Sequence, residues 1–135
     1  MKMNRTFVLV LVALFITLGL LFILFRSYAV EDSWVRNGRG VWIKQGTPSI
    51  IPDYVSQQQE ALLCANRLFS QERARNVSLN SQCLGECDGY AVDIVHNPRT
   101  EVDDLQYNQC SDYLTGILTN FIEIDTNGNI VRVKD

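Results

Sequence analysis

Histidine is nearly absent from this sequence: His96 is the only one among 135 residues. Any imidazole-dependent hydrolase mechanism therefore has to use His96, with a Cys or Ser nucleophile and an acid such as Asp93 or Glu123. His96 ends a predicted strand just before Asn97-Pro98, and neither a G-x-S-x-G nor a papain-type cysteine signature accompanies it. We therefore predict no catalytic residue and no enzyme activity, with a small His96-dependent hydrolase as the enzymatic alternative.

Positive charge is scarce after the N-terminus. All fifteen acidic residues lie from Glu31 onward, together with nine of the twelve lysines and arginines, which leaves a net charge of −6 there. A surface of this sign is repelled by nucleic-acid phosphates and by anionic lipid headgroups. The sequence also lacks a basic stripe with interleaved aromatic residues. These observations exclude nucleic acid as a predicted partner.

One long apolar run, FVLVLVALFITLGLLFILF, occupies residues 7–25 and contains no charge. At about 1.5 Å per helical residue it spans roughly 28 Å, close to the hydrocarbon thickness of a bilayer. It is also longer than the roughly 7–15 apolar residues of a secretory signal. We predict a transmembrane signal-anchor helix that contacts the lipid bilayer. The alternative is cleavage after Ala29, at Ser27-Tyr28-Ala29, which would release a small secreted ligand or inhibitor.

The flanking charges predict the orientation of this helix. Lys2 and Arg5 precede the apolar run, whereas Arg26 is soon followed by two acids. The positive-inside rule then places residues 1–6 in the cytoplasm and the C-terminal domain outside a cell membrane that the chain crosses once. An even number of cysteines after the run fits an oxidising, extracytoplasmic compartment. The Asn76-Val-Ser sequon makes Asn76 a glycosylation candidate.

The remaining chain divides into a juxtamembrane stalk, residues 26–39, and one α+β domain, residues 40–135. The clearest element is a helix from Tyr54 to about Arg75, because apolar residues recur there at steps of three and four without Gly or Pro. A proline and an aspartate just before it suit a helix start. Residues 90–96, YAVDIVH, alternate as a strand does.

The C-terminal stretch NFIEIDTNGNIVRV contains two β-rich runs around Asn127-Gly128. This pattern predicts a hairpin with a two-residue type I′ turn, in which both central residues have positive φ. The predicted fold is therefore a main helix packed on an antiparallel sheet of three or four strands.

Metal and redox sites are not supported by the spacing of the chemically active residues. Of the four cysteines, only Cys83 and Cys87 have the short spacing that structural zinc sites use twice. A redox-active pair has two intervening residues in an electropositive setting, whereas this pair has three and is flanked by acids. The alternation of Asp125, Asn127 and Asn129 lacks the sixth-position glycine of a calcium-binding loop. We predict no metal and no cofactor.

Two disulfides among Cys64, Cys83, Cys87 and Cys110 are the favoured interpretation of the cysteines. Each stabilises a small domain by roughly 2–4 kcal/mol. Three pairings are possible. We favour Cys64–Cys83 with Cys87–Cys110, since each closes a medium-length loop.

The order of a short basic start, an apolar helix and a disulfide-bearing α+β head is similar to that of type IV pilins. The glycine before the apolar run and the glutamate near its beginning, which mark that family, are absent, so the similarity covers architecture only. A pilin-like surface subunit is one alternative. The function that we predict is a non-enzymatic, membrane-anchored extracytoplasmic binding or envelope-associated module with an unidentified protein or envelope partner.

Overall fold

A computed structural model describes residues 5–28 and 32–135, with the backbone alone for residues 26–28. The chain forms two compact units, Met1–Ser33 with Lys44–Pro48, and Trp34–Ile43 with Ser49–Asp135. The helices are α1 (Arg5–Tyr28), α2 (Asp53–Ala74) and α3 (Ser111–Leu114), with two 3₁₀ turns at Glu101–Asp104 and Gln106–Asn108. The strands are β1 (Ser33–Arg36), β2 (Trp42–Gln45), β3 (Gln82–Cys87), β4 (Tyr90–Val95), β5 (Asn120–Asp125) and β6 (Ile130–Lys134).

The N-terminal apolar run forms helix α1, as predicted. Within it, Arg5–Phe25 is a stretch of 21 residues with a mean hydropathy of 3.2, and none of it is buried within the protein. This length corresponds to about 30 Å of helix, enough to cross a bilayer. The predicted stalk contains a regular element, because Ser33–Arg36 forms β1, which pairs with β2 in a two-stranded sheet.

Helix α2 confirms the predicted main helix within about one residue at each end. Its apolar side chains form one buried face, and that face also contains a fully buried amide, Gln58. The Gln58 side chain accepts a hydrogen bond from the Trp42 amide at 2.8 Å and donates to the Gly40 carbonyl at 3.1 Å. This side-chain amide therefore ties Gly40 and the start of β2 to the helix, and its own polar atoms, which burial would otherwise penalise, are satisfied.

The main sheet has the order β3-β4-β5-β6. The outer pairs are antiparallel, but the central pair β4–β5 is parallel, so the prediction of a purely antiparallel sheet is wrong. A parallel pair needs a long crossover rather than a tight turn. Residues 96–119 supply it, with both 3₁₀ turns and α3 in the connection. The α+β class and the four-stranded size of the sheet are confirmed.

The sheet has two covered faces. Helix α2 packs on the inner face, where Val92, Ile94, Ile122 and Ile124 are fully buried or nearly so. The crossover covers part of the opposite face, which we call the outer face, through a smaller cluster of Ala91, Cys110 and Phe121 with Tyr113 and Leu118. Alternate residues of one strand therefore serve two different layers.

The type I′ hairpin turn occurs at a position other than the predicted one. Asp88 and Gly89 both have positive φ, 49° and 82°, and they join β3 to β4 directly. Asp-Gly between paired strands is a strong signal for this turn. β3 itself is not among the strands that the sequence predicts.

The C-terminal hairpin exists, but its turn is of another type. Only Gly128 has positive φ, 94°, and its amide donates to the Asp125 carbonyl at 2.9 Å. The loop is therefore a three-residue connection, a type I turn followed by a left-handed glycine. A register shift between Glu123 and Ile124 accommodates the additional residue.

The disulfides are Cys64–Cys87 and Cys83–Cys110, so both disulfides are confirmed but our preferred pairing is wrong. The reason is a bulge in β3 between Cys83 and Gly85. Four residues apart on a regular strand, the two cysteines would share a face. The additional residue places Cys87 on the inner face, toward α2, and Cys83 on the outer face, toward the crossover.

Candidate functional site

Four side chains form a row across the outer face of the sheet. The strand register aligns Cys83 with Asp93, Asp93 with Glu123, and Glu123 with Arg132, one residue from each strand. Directly paired residues lie side by side on one face. We call this set the cross-strand row. It brings a disulfide, two carboxyl groups and a guanidinium group together.

Glu123 is the anchor of the row. Its side chain is only 8% exposed and accepts two hydrogen bonds from Arg132, from Nε and Nη2, each at 2.9 Å. Arg99 Nη1, which comes from the crossover, donates a further short hydrogen bond to the same carboxylate. Such two-pronged arginine–carboxylate pairs fix geometry as well as charge.

Arg99 is itself held in place by the crossover. Its Nε and Nη2 donate to the Asp104 carboxylate at 3.0 and 2.9 Å, and Nη2 also donates to the Asp103 carbonyl at 3.2 Å. Arg132 lies over the Phe121 ring, 4.7 Å from its centroid. Both guanidinium groups therefore have fixed orientations.

A cleft of about 210 Å³ opens between the row and the crossover. It is lined by polar and aromatic side chains: Asp93, Arg99, Gln109, Tyr113, Phe121, Glu123 and Arg132. The two arginines are balanced by two carboxyl groups, so the cleft has little net charge but many hydrogen-bond donors and acceptors. Except for Asp93 and Glu123, the sequence pattern did not indicate these residues, because it gives neither the register of the strands nor the position of the crossover over the sheet.

Asp93 is the ionisable group in the cleft with the largest upward shift. Burial raises its pKa to about 6, and the neighbouring Glu123 charge contributes in the same direction. A hydrogen bond from the Cys110 amide, at 3.1 Å, and the Arg99 charge act in the opposite direction. The carboxyl group is therefore partly protonated at mildly acidic pH, unlike an ordinary aspartate.

His96 pairs with an acid other than Asp93 or Glu123, the two that the sequence suggested. Its Nδ1 lies 2.9 Å from the buried Asp103 carboxylate and 3.2 Å from the Thr100 hydroxyl. Asp103 also accepts hydrogen bonds from the His96 and Thr100 amides, at 3.0 and 2.7 Å. Burial opposes ionisation of Asp103, but these hydrogen bonds outweigh it and lower its pKa below the ordinary value of 3.8. The cluster fixes the start of the crossover.

We expect Asp103→Asn to destabilise the domain by about 2–3 kcal/mol at pH 7, because the amide cannot accept all of the hydrogen bonds that converge there. A depressed carboxylate pKa contributes stability that is present above the unfolded-state value and is lost as the pH falls below about 4. The difference between variant and wild type should therefore shrink at pH 2–3. Denaturant unfolding at both pH values measures it.

Asp104→Asn is the matched control, because its side chain is 68% exposed whereas that of Asp103 is 0% exposed. We expect it to cost less than about 1 kcal/mol. Equal losses in the two variants, or a loss for Asp103→Asn that is the same at pH 2–3 and pH 7, would contradict this role of Asp103.

Two groups of side chains have the residue types of a metal site: the cysteines with Asp93, and the C-terminal turn. Cys83, Asp93 and Cys110 place ligand-type atoms within 4.8 Å of one another, but the two sulfur atoms are joined in a disulfide and offer no thiolate. At the C-terminal turn, the Asp125 carboxylate accepts hydrogen bonds from the Asn127 and Asn129 amides at 2.9 and 2.8 Å. The polar residues of this turn thus stabilise the turn itself.

Asn76 has a structural role beside its predicted one. It follows α2 with φ of 55°, and the amides of Asn76 and Val77 donate to the Arg73 and Glu72 carbonyls, at 3.1 and 3.3 Å. This pattern is a Schellman motif, in which asparagine takes the left-handed position that ends a helix. Asn76 is exposed, and its glycosylation stays a prediction.

The comparisons with known proteins supply no functional information. The chain matches no protein-family model, and neither a curated protein nor a solved structure is significantly similar to it.

Proposed function

We propose that this protein is a membrane-anchored, extracytoplasmic, non-enzymatic binding module that holds a neutral saccharide unit of the cell envelope in the outer-face cleft. In this proposal α1 is the anchor and residues 1–6 are cytoplasmic. The uninterrupted apolar length of α1 supports the anchor. The two disulfides support an oxidising compartment for the domain.

The observation that carries the ligand assignment is the balanced polarity of the cleft. Glu123 occupies Nε and Nη2 of Arg132, and within the described part of the chain Nη1 has no hydrogen-bond partner. Arg132 is 55% exposed in its side chain and can donate to a ligand there. Asp93 and Gln109, which also line the cleft, add further acceptors and donors. Sugar hydroxyls donate and accept at once, which suits such a surface better than a charged ligand does.

The size of the cleft limits the ligand. At about 210 Å³ it is smaller than the roughly 300–1,000 Å³ of sites for drug-sized molecules. It therefore accommodates one ring or one side chain rather than a long oligomer. Because a single small ligand buries little surface, we expect millimolar affinity for an isolated monosaccharide.

Saturation-transfer NMR on the full-length chain in lipid nanodiscs tests the proposal with a panel of neutral, acidic and amino monosaccharides. We expect transfer to neutral sugars, no chemical change in any of them, and an affinity at least threefold lower in Gln109→Ala. Gln71→Ala, on the exposed face of α2, is the control and should bind as the wild type does. Absence of transfer to every sugar, or equal effects of the two variants, would contradict the proposal.

A further inference from the structure

The two disulfides differ in their access to solvent. Cys87 is 2% exposed and belongs to the inner-face core, where Cys64 also packs. Cys83 is exposed, whereas its partner Cys110 is 4% exposed. A recess of about 80 Å³ lies at the Cys83–Cys110 disulfide. Cys83 is therefore more accessible than Cys110 to a thiol from another molecule.

Asp93 lies beside this disulfide. One of its carboxyl oxygens is within 4.8 Å of both sulfur atoms, and the carboxylate also accepts the Cys110 amide hydrogen bond. Glu123, the next residue in the cross-strand row, disfavours the ionised form of Asp93, as does burial. A carboxyl group with a raised pKa thus lies within 4.8 Å of the less accessible sulfur.

We propose that Cys83–Cys110 is a thiol–disulfide exchange site that forms a mixed disulfide with a thiol of another molecule, with Asp93 as the proton donor to Cys110. The incoming thiolate attacks Cys83 Sγ, the new S–S bond forms, and the Cys83–Cys110 bond breaks with its electron pair on Cys110 Sγ. Asp93 then transfers its proton to that sulfur. The products are a mixed disulfide at Cys83, a Cys110 thiol and an Asp93 carboxylate, which regains a proton from water.

A dithiol partner would complete the exchange. Its second thiolate attacks the partner's own sulfur in the mixed disulfide and releases Cys83, which takes a proton from water. The partner is then a disulfide, and Cys83 and Cys110 are two thiols, so two electrons pass from partner to domain. No other oxidant or reductant is needed.

The surroundings explain why the leaving sulfur requires a proton. Cys110 belongs to the apolar cluster with Ala91 and Phe121, and Glu86 and Asp112 line the recess. An apolar and negatively charged setting raises the pKa of a thiol, which makes its thiolate a poor leaving group. Proton transfer from Asp93 to Cys110 Sγ makes the leaving group a neutral thiol and so removes this disadvantage. The new thiol also has carbonyl acceptors in reach, since Cys110 Sγ lies 3.5 Å from the Val92 oxygen.

Reduced glutathione is the probe, applied to the full-length oxidised chain in nanodiscs, with alkylation and peptide mass mapping over time. We expect glutathione on Cys83 and not on Cys110. Cys64–Cys87, the control within the same molecule, should stay intact. Rates are to be expressed per glutathione thiolate, so that the titration of the probe does not contribute.

Asp93→Asn isolates the proton donor, because the amide oxygen can still accept the Cys110 hydrogen bond. We expect exchange about tenfold slower than in the wild type at pH 5.5. The ratio of the two rates should approach one at pH 8, where Asp93, beside the Glu123 and Arg99 charges, is ionised and no longer donates a proton. Disulfide mapping and circular dichroism verify that each variant is folded.

Equal reaction of both disulfides, attachment to Cys110, or a wild-type rate in Asp93→Asn at pH 5.5 would overturn the proposal. This inference is independent of saccharide binding. The exchange experiment contains no sugar, so a failure of either experiment leaves the result of the other unaffected.

Discussion

Gly40→Ala is expected to destabilise the domain by about 4 kcal/mol, a large effect for a single added methyl group. Gly40 has φ of 81°, and a Cβ at this position would collide with the backbone carbonyl oxygen of Val133. Left-handed backbone costs a non-glycine residue about 1–2 kcal/mol, and overpacking adds about 1–3 kcal/mol. The two segments are held close together at this point, because the Val133 amide donates a hydrogen bond to the Arg39 carbonyl at 2.7 Å.

Gly38→Ala provides the matched control two residues earlier. A Cβ there meets no atom within 4 Å, and Gly38 has no positive φ. Chemical unfolding of the oxidised full-length proteins should show a change below about 1 kcal/mol for Gly38→Ala. Similar unfolding midpoints for the two variants would mean that Gly40 does not lie against β6.

Gly128→Ala is expected to cost about 2–4 kcal/mol. Gly128 has φ of 94°, and a Cβ at this position would lie 2.7 Å from the Phe69 ring. Backbone strain and a forced shift of a core aromatic ring therefore add. This turn packs its glycine directly on α2, which the sequence pattern alone did not indicate.

Gly116→Ala separates the contribution of backbone strain from that of the contact with the Phe69 ring. Gly116 also has positive φ, 76°, but a Cβ there meets nothing within 4 Å. We expect it to lose only the strain contribution, about 1–2 kcal/mol, in the same unfolding experiment. If Gly116→Ala and Gly128→Ala lose the same amount, the contact with Phe69 contributes nothing.

Local patterns predicted several elements of this fold, although not β1 or β3. The apolar spacing of residues 54–75 indicated α2, and the β-rich runs around Asn127-Gly128 indicated β5 and β6, because both signals lie within one segment. Which strands pair, and in which direction, was harder to predict from the sequence. The length of the polar stretch after His96 is what a parallel crossover requires, but composition does not distinguish it from a long antiparallel loop.

The disulfide pairing and the cleft depended on single-residue details of register. One additional residue near Gly85 places Cys83 and Cys87 on opposite faces of the sheet. The spacing of residues in the sequence does not reveal such a bulge. Likewise, Asp93, Glu123 and Arg132 become neighbours only once three strands are aligned. The sequence indicated which residues have reactive side chains, and the strand register determined which of them lie next to one another.

Labelling with a membrane-impermeant maleimide tests the anchored, extracytoplasmic arrangement most directly. Tyr107 is 81% exposed, so Tyr107→Cys adds one accessible thiol to a domain whose native cysteines are paired. In intact cells we predict that Tyr107→Cys, retained in the membrane fraction, is labelled without permeabilisation, whereas Lys2→Cys is labelled only after it. The opposite pattern, or a Tyr107→Cys protein released into the medium without its first 29 residues, would contradict the account.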